Sequence, residues 1–123
     1  MKNTKILVVD DASFMRTLLG NTLKDIGYSA VEFAQDAYEA VEKAKDLKPD
    51  FVTLDISMEG MDGIQAIEKI LEVSSRSKII MVSALNSQQI INRAIECGAV
   101  DYIPKPFSRF DVETSLKRHI GIN

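Results

Sequence analysis

The stretch that decides the fold is residues 51–55, FVTLD, in which four mostly apolar, β-favouring residues run into a single carboxylate. Residues 48–50 (KPD) precede it and Gly60 and Gly63 follow it, and such turn-forming residues delimit a short buried strand. The pattern therefore predicts that Asp55 lies at the carboxyl end of an interior strand. Sites in open parallel α/β sheets form at that edge. Taken alone, Asp55 could equally be the first polar residue of a loop.

Four other strands are predicted by similar runs. Residues 6–9 (ILVV) and 79–82 (IIMV) are continuously apolar, which is typical of strands buried on both faces. Residues 30–33 alternate and carry a charge, which indicates an edge strand, and residues 101–103 form a short strand that ends at Pro104. Apolar residues at helical spacing between the strands predict five helices, at about residues 14–26, 37–47, 63–71, 87–97 and 112–120.

The order of strand and helix, repeated five times, predicts a parallel sheet with helices on both faces. Right-handed crossovers leave few topologies, and placing the most apolar strands at the centre gives the strand order 2-1-3-4-5. Pro104 is tolerated at the end of a strand on the far edge. The predicted fold class is therefore α/β, a (βα)5 three-layer sandwich in one domain that covers residues 1–123.

Composition excludes several classes of protein. The 123 residues are 46% hydrophobic and 27% charged, which indicates a globular chain. The net charge of −3, without a basic block, argues against a nucleic-acid partner. A single cysteine, Cys97, excludes an internal disulfide and favours a reducing compartment. No apolar run could span a bilayer and no signal peptide is evident, so we expect a cytoplasmic protein without membrane insertion.

Polar residues end the predicted strands that share one edge of the sheet. Asp10 and Asp11 follow the first strand, and Asp55 follows the third. Ser83 ends the fourth strand and Lys105 follows the fifth. Each residue has an ordinary structural explanation on its own, such as a helix cap or a solvated charge. The convergence of all five at one edge favours a functional site.

The residue types at this edge indicate phosphoryl chemistry. Three clustered carboxylates are costly to ionise together without a cation, and their hard oxygen ligands suit Mg²⁺. Lys105 would supply a fixed positive charge for a phosphoryl group, and Ser83 would supply a hydroxyl donor. A carboxylate can act as a nucleophile that forms an aspartyl phosphate. No glycine-rich phosphate loop is present, so nucleotide hydrolysis is not indicated.

The acidic pair, the 55–63 stretch (DISMEGMDG), Ser83-Ala84 and residues 105–107 (KPF) together resemble the receiver domain of two-component response regulators. The resemblance covers essentially the whole chain and implies a flavodoxin-like fold. It implies that Asp55 is the phosphoacceptor. It also implies the Mg²⁺ ligands, which are Asp10 (acting largely through water), Asp11, Asp55 and the backbone carbonyl of Ser57.

The resemblance assigns further roles at this edge. Lys105 would contact the phosphoryl group and precede a cis peptide bond, and Ser83 and Tyr102 would form a switch. The sequence departs from the family where Glu59 replaces a frequent proline. Ser57 and Leu85 stand where the family often has residues that orient the hydrolytic water. We therefore expect the phosphoryl group to be lost slowly.

Residues 10–16 (DDASFMR) most resemble stand-alone, CheY-like chemotaxis regulators. The resemblance implies a monomer phosphorylated by a histidine kinase or a histidine phosphotransfer protein. It would bind a downstream protein through the helix at 87–97, the Tyr102 strand and the last helix. We expect no enzymatic activity beyond its own phosphorylation and dephosphorylation, and no attached output domain.

Three alternatives stay open. One is a phosphorelay intermediate. Another is a haloacid-dehalogenase-type phosphatase, which would need a second acid where Ser57 stands. The third is a flavin-binding flavodoxin-like protein, which would need a phosphate-binding loop where Asp10 and Asp11 stand.

Other residues receive structural predictions. The row of Phe14, Leu18, Thr22 and Ile26 is expected to face the core from the first helix, widened by neighbouring apolar residues. His119 is expected at the exposed end of the last helix, where a cation suits the helix dipole. Phe107 and Phe110 are expected to pack in the interior.

Overall fold

The computed structural model describes residues 3–56, 63–85 and 87–120. Strands and helices alternate along these residues, and every predicted element is present. The strands are β1 (Lys5–Val9), β2 (Ala30–Ala34), β3 (Phe51–Leu54), β4 (Lys78–Ser83) and β5 (Ala99–Pro104). The helices are α1 (Ser13–Ile26), α2 (Ala37–Leu47), α3 (Gly63–Val73), α4 (Gln88–Glu96) and α5 (Arg109–His119).

The five strands form one sheet in the order β2-β1-β3-β4-β5, and every neighbouring pair is parallel. The predicted fold class and strand order are therefore confirmed. Val9 pairs with Leu54 across β1 and β3, and Ser83 pairs with Pro104 across β4 and β5. Leu54 pairs with Met81, so β4 and β5 run two residues beyond β1 and β3. The residues that follow these four parallel strands emerge at the same carboxyl edge of the sheet.

Each face of the sheet carries its own hydrophobic core. One core packs α2, α3 and α4 against the sheet, and the other packs α1 and α5. The third strand, β3, contributes side chains to both cores. Val52 and Leu54 belong to the first core and Phe51 to the second. This two-sided burial explains why the central strands are continuously apolar in sequence. Among the described residues, none of the helices has the length and hydrophobicity needed to cross a bilayer.

The inner face of α1 differs from the prediction. Phe14 is 68% exposed and Leu18 is 48% exposed, whereas Leu19 and Leu23 are buried. The row that faces the sheet therefore lies one residue further along the helix. Gly20 belongs to this buried side, where an added Cβ would lie 2.7 Å from the ring of Phe33. The glycine lets α1 pack closely over the edge strand.

Two predictions for the carboxyl-terminal segment are also wrong. Phe110 is 74% exposed, and only Phe107 packs, half-buried, against the second core. His119 is not on an exposed helix end, because its side chain is only 15% exposed and its Nε2 lies 3.1 Å from Asp101 Oδ2. A carboxylate on the neighbouring strand therefore holds the imidazole against the protein surface.

Candidate functional site

Three carboxylates meet at the carboxyl edge of the sheet. Each of Asp10, Asp11 and Asp55 offers an oxygen atom, and these atoms lie within 4.8 Å of one another. Asp10 and Asp55 are only 6% and 4% exposed, because each directly follows a central strand. Asp11 is exposed to solvent. The structure therefore brings together the acids that the strand pattern placed at one edge.

Lys105 directly follows β5, and its side chain extends into this cluster. The peptide bond between Lys105 and Pro106 is cis. Its Nζ lies 2.7 Å from Asp10 Oδ2 and 2.8 Å from Asp55 Oδ2. Partial burial lowers the pKa of the Lys105 ammonium, but hydrogen bonds to both carboxylates and their charges outweigh it, and the pKa lies above its ordinary value. An ammonium has three N–H donors, so one is left over from the contacts to described residues.

Asp10 is held at four points. Its N–H donates to Ala34 O at 3.1 Å, and its Oδ1 accepts from the N–H of Ala12 at 3.0 Å. Its Oδ2 accepts from Lys105, and its carbonyl accepts from Arg16 Nη1 at 2.7 Å. The contact with Arg16 was not anticipated from the sequence. The available signal was a cation on the first turn of the helix that follows the acidic pair.

The donor set fits a hard divalent cation. All three clustered ligands are carboxylate oxygens, which Mg²⁺ prefers, and one of them is open to solvent. Both oxygens of Asp10 already accept hydrogen bonds, whereas the Asp11 carboxylate is exposed to solvent and is open to direct coordination. That Asp10 acts on the metal through water stays a prediction. The predicted ligand Ser57 lies outside the described residues.

Ser83 and Tyr102 are joined through the backbone that follows β4. The Ser83 hydroxyl is fully buried, and its Oγ accepts from the N–H of Leu85 at 3.1 Å. The Tyr102 hydroxyl donates to the carbonyl of Ser83 at 2.8 Å and lies 3.1 Å from the carbonyl of Leu85. Burial, together with the negative charge of Asp55, raises the pKa of the Tyr102 phenol. The tyrosine therefore ties β5 to the start of the loop between β4 and α4.

A second polar cluster lies beside Tyr102 and was not anticipated from the sequence. Asp101 Oδ1 accepts the backbone N–H of Tyr102 at 2.8 Å. Asp101 Oδ2 lies 2.8 Å from Ser115 Oγ, 2.9 Å from Arg118 Nη1 and 3.1 Å from His119 Nε2. Burial raises the pKa of Asp101, but these hydrogen bonds and the charge of Arg118 outweigh it, so the pKa lies below its usual value. The carboxylate fastens the last turn of α5 to β5.

Comparison with known proteins identifies the family. Residues 6–117 match the family model described as the response regulator receiver domain. The chain belongs to the receiver domain family. This receiver domain is 44% identical to chemotaxis protein CheY of Thermotoga maritima over 114 residues, which cover 93% of this chain and 95% of the relative. It is 45% identical to chemotaxis protein CheY of Bacillus subtilis over 117 residues, which cover 95% and 98% of the two chains.

Solved structures give the same result. The receiver domain is similar to the CheX–CheY–BeF₃–Mg²⁺ complex from Borrelia burgdorferi, with a TM-score of 0.90 and 33% identity. The similarity covers 97% of this chain and 91% of that chain. The family resemblance drawn from the sequence is therefore confirmed, and the flavin-binding and phosphatase alternatives have no support. The roles of the individual site residues stay predictions.

Proposed function

We propose that this receiver domain accepts a phosphoryl group on Asp55 from a histidine kinase or a histidine phosphotransfer protein, in an Mg²⁺-dependent reaction. We further propose that phosphorylation changes its binding to a downstream protein, in chemotaxis or motility. The observation that carries the proposal is the position of the Lys105 ammonium, which contacts both Asp10 and Asp55 beside a third carboxylate.

The transfer is a displacement at phosphorus. An oxygen of Asp55 attacks, the new O–P bond forms, and the bond from phosphorus to the donor imidazole nitrogen breaks. The electron pair of that bond returns to the imidazole, which takes up a proton from solvent. Lys105 neutralises negative charge next to the attacking oxygen, and its third N–H can donate to a phosphoryl oxygen. When bound, Mg²⁺ supplies further positive charge for the phosphoryl oxygens.

Three contacts support a switch at the end of β4. The Ser83 Oγ accepts from Leu85, while the hydroxyl hydrogen of Ser83 has no acceptor among residues 3–56, 63–85 and 87–120. That hydrogen can donate to a phosphoryl oxygen on Asp55. A shift of Ser83 toward the site would move the two carbonyls that the Tyr102 hydroxyl binds. The change would thereby reach α4, β5 and α5, the surface we propose for target binding.

The chemotaxis assignment rests on the relatives. Two CheY proteins match at 44% and 45% identity over nearly the whole of both chains. The Borrelia CheY was solved in a complex with CheX, which supports a protein as a binding partner of this chain. We propose a cytoplasmic monomer whose only catalysis is its own phosphorylation and dephosphorylation.

Acetyl phosphate with Mg²⁺ tests the proposed acceptor. The intact mass should rise by one phosphoryl group, roughly 80 Da, as expected for covalent attachment to the carboxylate nucleophile. Asp55→Asn should not gain this mass. Asp46→Asn, which changes an exposed carboxylate on α2 in the same way, should behave like the wild type. A phosphorylated Asp55→Asn protein would remove Asp55 from the role.

Capture of binding partners tests the switch. The protein would be immobilised with and without beryllofluoride and Mg²⁺, and retained proteins would be compared between the two states. A partner retained in only one state supports the proposal. Identical sets of partners in both states would contradict switching.

A further inference from the structure

The geometry points to Arg16 as a positioning residue for the metal site. It holds the peptide bond between Asp10 and Asp11, and through that peptide it directs the Asp11 carboxylate toward the Mg²⁺ position. The inference deepens the proposed function and rests on it, because it concerns the same site. Arg16 itself contacts neither phosphorus nor metal in this assignment.

The contact is short and local. Arg16 lies on the first turn of α1, half-buried, and its Nη1 donates to the carbonyl oxygen of Asp10 at 2.7 Å. That carbonyl belongs to the peptide that joins Asp10 to Asp11. A peptide unit is planar, so fixing its oxygen also fixes the nitrogen and Cα of Asp11. Together with the hydrogen bond from the N–H of Ala12 to Asp10 Oδ1, the Arg16 bond holds the backbone on both sides of Asp11 and so limits the directions its side chain can take.

Asp11 depends on this backbone contact more than Asp10 does. The Asp10 carboxylate is already fixed by Ala12 and Lys105. The Asp11 side chain is exposed, and no hydrogen bond joins it to any residue within 3–56, 63–85 or 87–120. The turn also lacks a capping side chain, because the N-cap residue of α1 is Ala12. Within the described residues, Arg16 is thus the side chain that stiffens this turn from the helix.

Charge and position make opposite predictions for Arg16. A guanidinium is always protonated, so its field alone would oppose the binding of a cation nearby. If the electrostatic repulsion between the guanidinium and the cation were the main effect of Arg16, removing Arg16 would strengthen Mg²⁺ binding. If Arg16 orients Asp11, removing it would weaken Mg²⁺ binding, as loss of a residue that orients a metal ligand does. The sign of the change therefore separates the two roles.

Titration calorimetry with Mg²⁺ measures this sign without any phosphodonor. Arg16→Met should raise the Kd for Mg²⁺ by roughly tenfold, the lower range for such orienting residues. Arg16→Lys should recover most of the affinity, because an ammonium can donate to the same carbonyl. Lys24→Met removes one positive charge from the last turn of α1 and should bind Mg²⁺ like the wild type. Urea unfolding checks that each variant is folded.

A double-mutant cycle tests whether Arg16 acts through Asp11. Asp11→Asn alone should weaken Mg²⁺ binding, and adding Arg16→Met should weaken it little further, because the residue that Arg16 orients is already lost. Additive losses would overturn the inference, and so would unchanged or tighter Mg²⁺ binding by Arg16→Met. A wild-type protein that fails to bind Mg²⁺ would instead contradict the proposed function.

Discussion

Lys105 and Asp55, 50 residues apart in the sequence, form an ion pair in which Nζ lies 2.8 Å from Oδ2. Both side chains are largely buried, at 16% and 6% exposure. The same ammonium also binds Asp10, so one cation bridges two buried carboxylates. This bridge places the positive charge of the site within hydrogen-bond distance of both the proposed acceptor and its neighbour.

The bridge makes stability depend on pH in the alkaline range. Because the folded pKa of Lys105 is raised above 10.5, its stabilisation is fully present below pH 10.5 and is lost as the pH rises through the folded pKa. Lys105→Met should lower the free energy of unfolding at neutral pH by about 3 kcal/mol, since it removes the cation that contacts two buried carboxylates. Urea unfolding should show this gap narrowing above pH 10.5. A gap that stays constant into strong alkali would contradict the assignment.

Leu85 should slow hydrolysis of the phosphorylated protein. Its side chain is apolar and 43% exposed, while its backbone is bound to Ser83 and Tyr102. Leu85→Glu would add a group that can orient water for in-line attack, and the decay of phosphorylated protein should accelerate several-fold. Ile95→Glu places the same charge at an exposed position on α4 and should leave the decay unchanged.

Glu59 is the competing candidate for the residue that positions the hydrolytic water. Glu59→Pro should change the decay little if Leu85 sets the rate. If Glu59→Pro slows the decay sharply, Glu59 positions the water and the assignment to Leu85 is wrong.

Gly63 should be sensitive to the smallest substitution. A Cβ at this position would lie 2.3 Å from Ile56 Cα, a backbone atom that cannot move aside freely. Gly63→Ala should therefore destabilise the fold by about 1–3 kcal/mol. It should also slow phosphorylation by acetyl phosphate, because Ile56 directly follows Asp55. Gln65→Ala, at an exposed position on α3, is the control and should change neither property.

Asp101 should contribute to stability above its titration range. Its folded pKa is lowered below 3.8, so the contribution is present above pH 3.8 and is lost as the pH falls through the folded pKa. Asp101→Asn should cost about 1–2 kcal/mol at neutral pH, since it weakens hydrogen bonds to a charged group. Unfolding curves of the variant and wild type should converge in acid. Equal stability at neutral pH would show that the cluster is not stabilising.

Thr53 should tolerate loss of its hydroxyl. Its Oγ1 is buried and has no hydrogen-bond partner among the described residues. Thr53→Val replaces the hydroxyl with a methyl of similar size and should stabilise the protein by about 1 kcal/mol, because an unpaired buried hydroxyl is costly. The measurement is the free energy of unfolding in urea. A loss of stability would indicate that the hydroxyl has a partner in the native protein.

The topology could be predicted from the sequence because parallel strands that are buried on both faces are continuously apolar. Residues 6–9 and 79–82 are apolar throughout since both of their faces are covered. The orientation of α1 could not be predicted in the same way. Two adjacent rows of this helix are apolar, and the contact between Gly20 and Phe33 on another element determines which row faces the sheet.

The candidate site, too, could be predicted from the sequence only in part. The rule that parallel strands end at one edge was enough to bring together Asp10, Asp11, Asp55 and Lys105. The bonds of Arg16 and Asp101 escaped prediction. The Arg16 bond depends on the reach of a long side chain, and the Asp101 bonds depend on how α5 packs against β5. No periodicity in the sequence encodes either contact.

The carboxyl half of β5 offers almost no backbone donors at the free edge of the sheet. The N–H of Lys105 points inward to Ser83 O, so by alternation the backbone nitrogens of Tyr102 and Pro104 point outward. Proline has no N–H, and that of Tyr102 is taken by Asp101. An extended segment from another molecule therefore finds a poor template for strand addition here. Partners that approach this edge find carbonyl acceptors and side chains but few backbone donors, which disfavours extension of the sheet by a second copy of the protein.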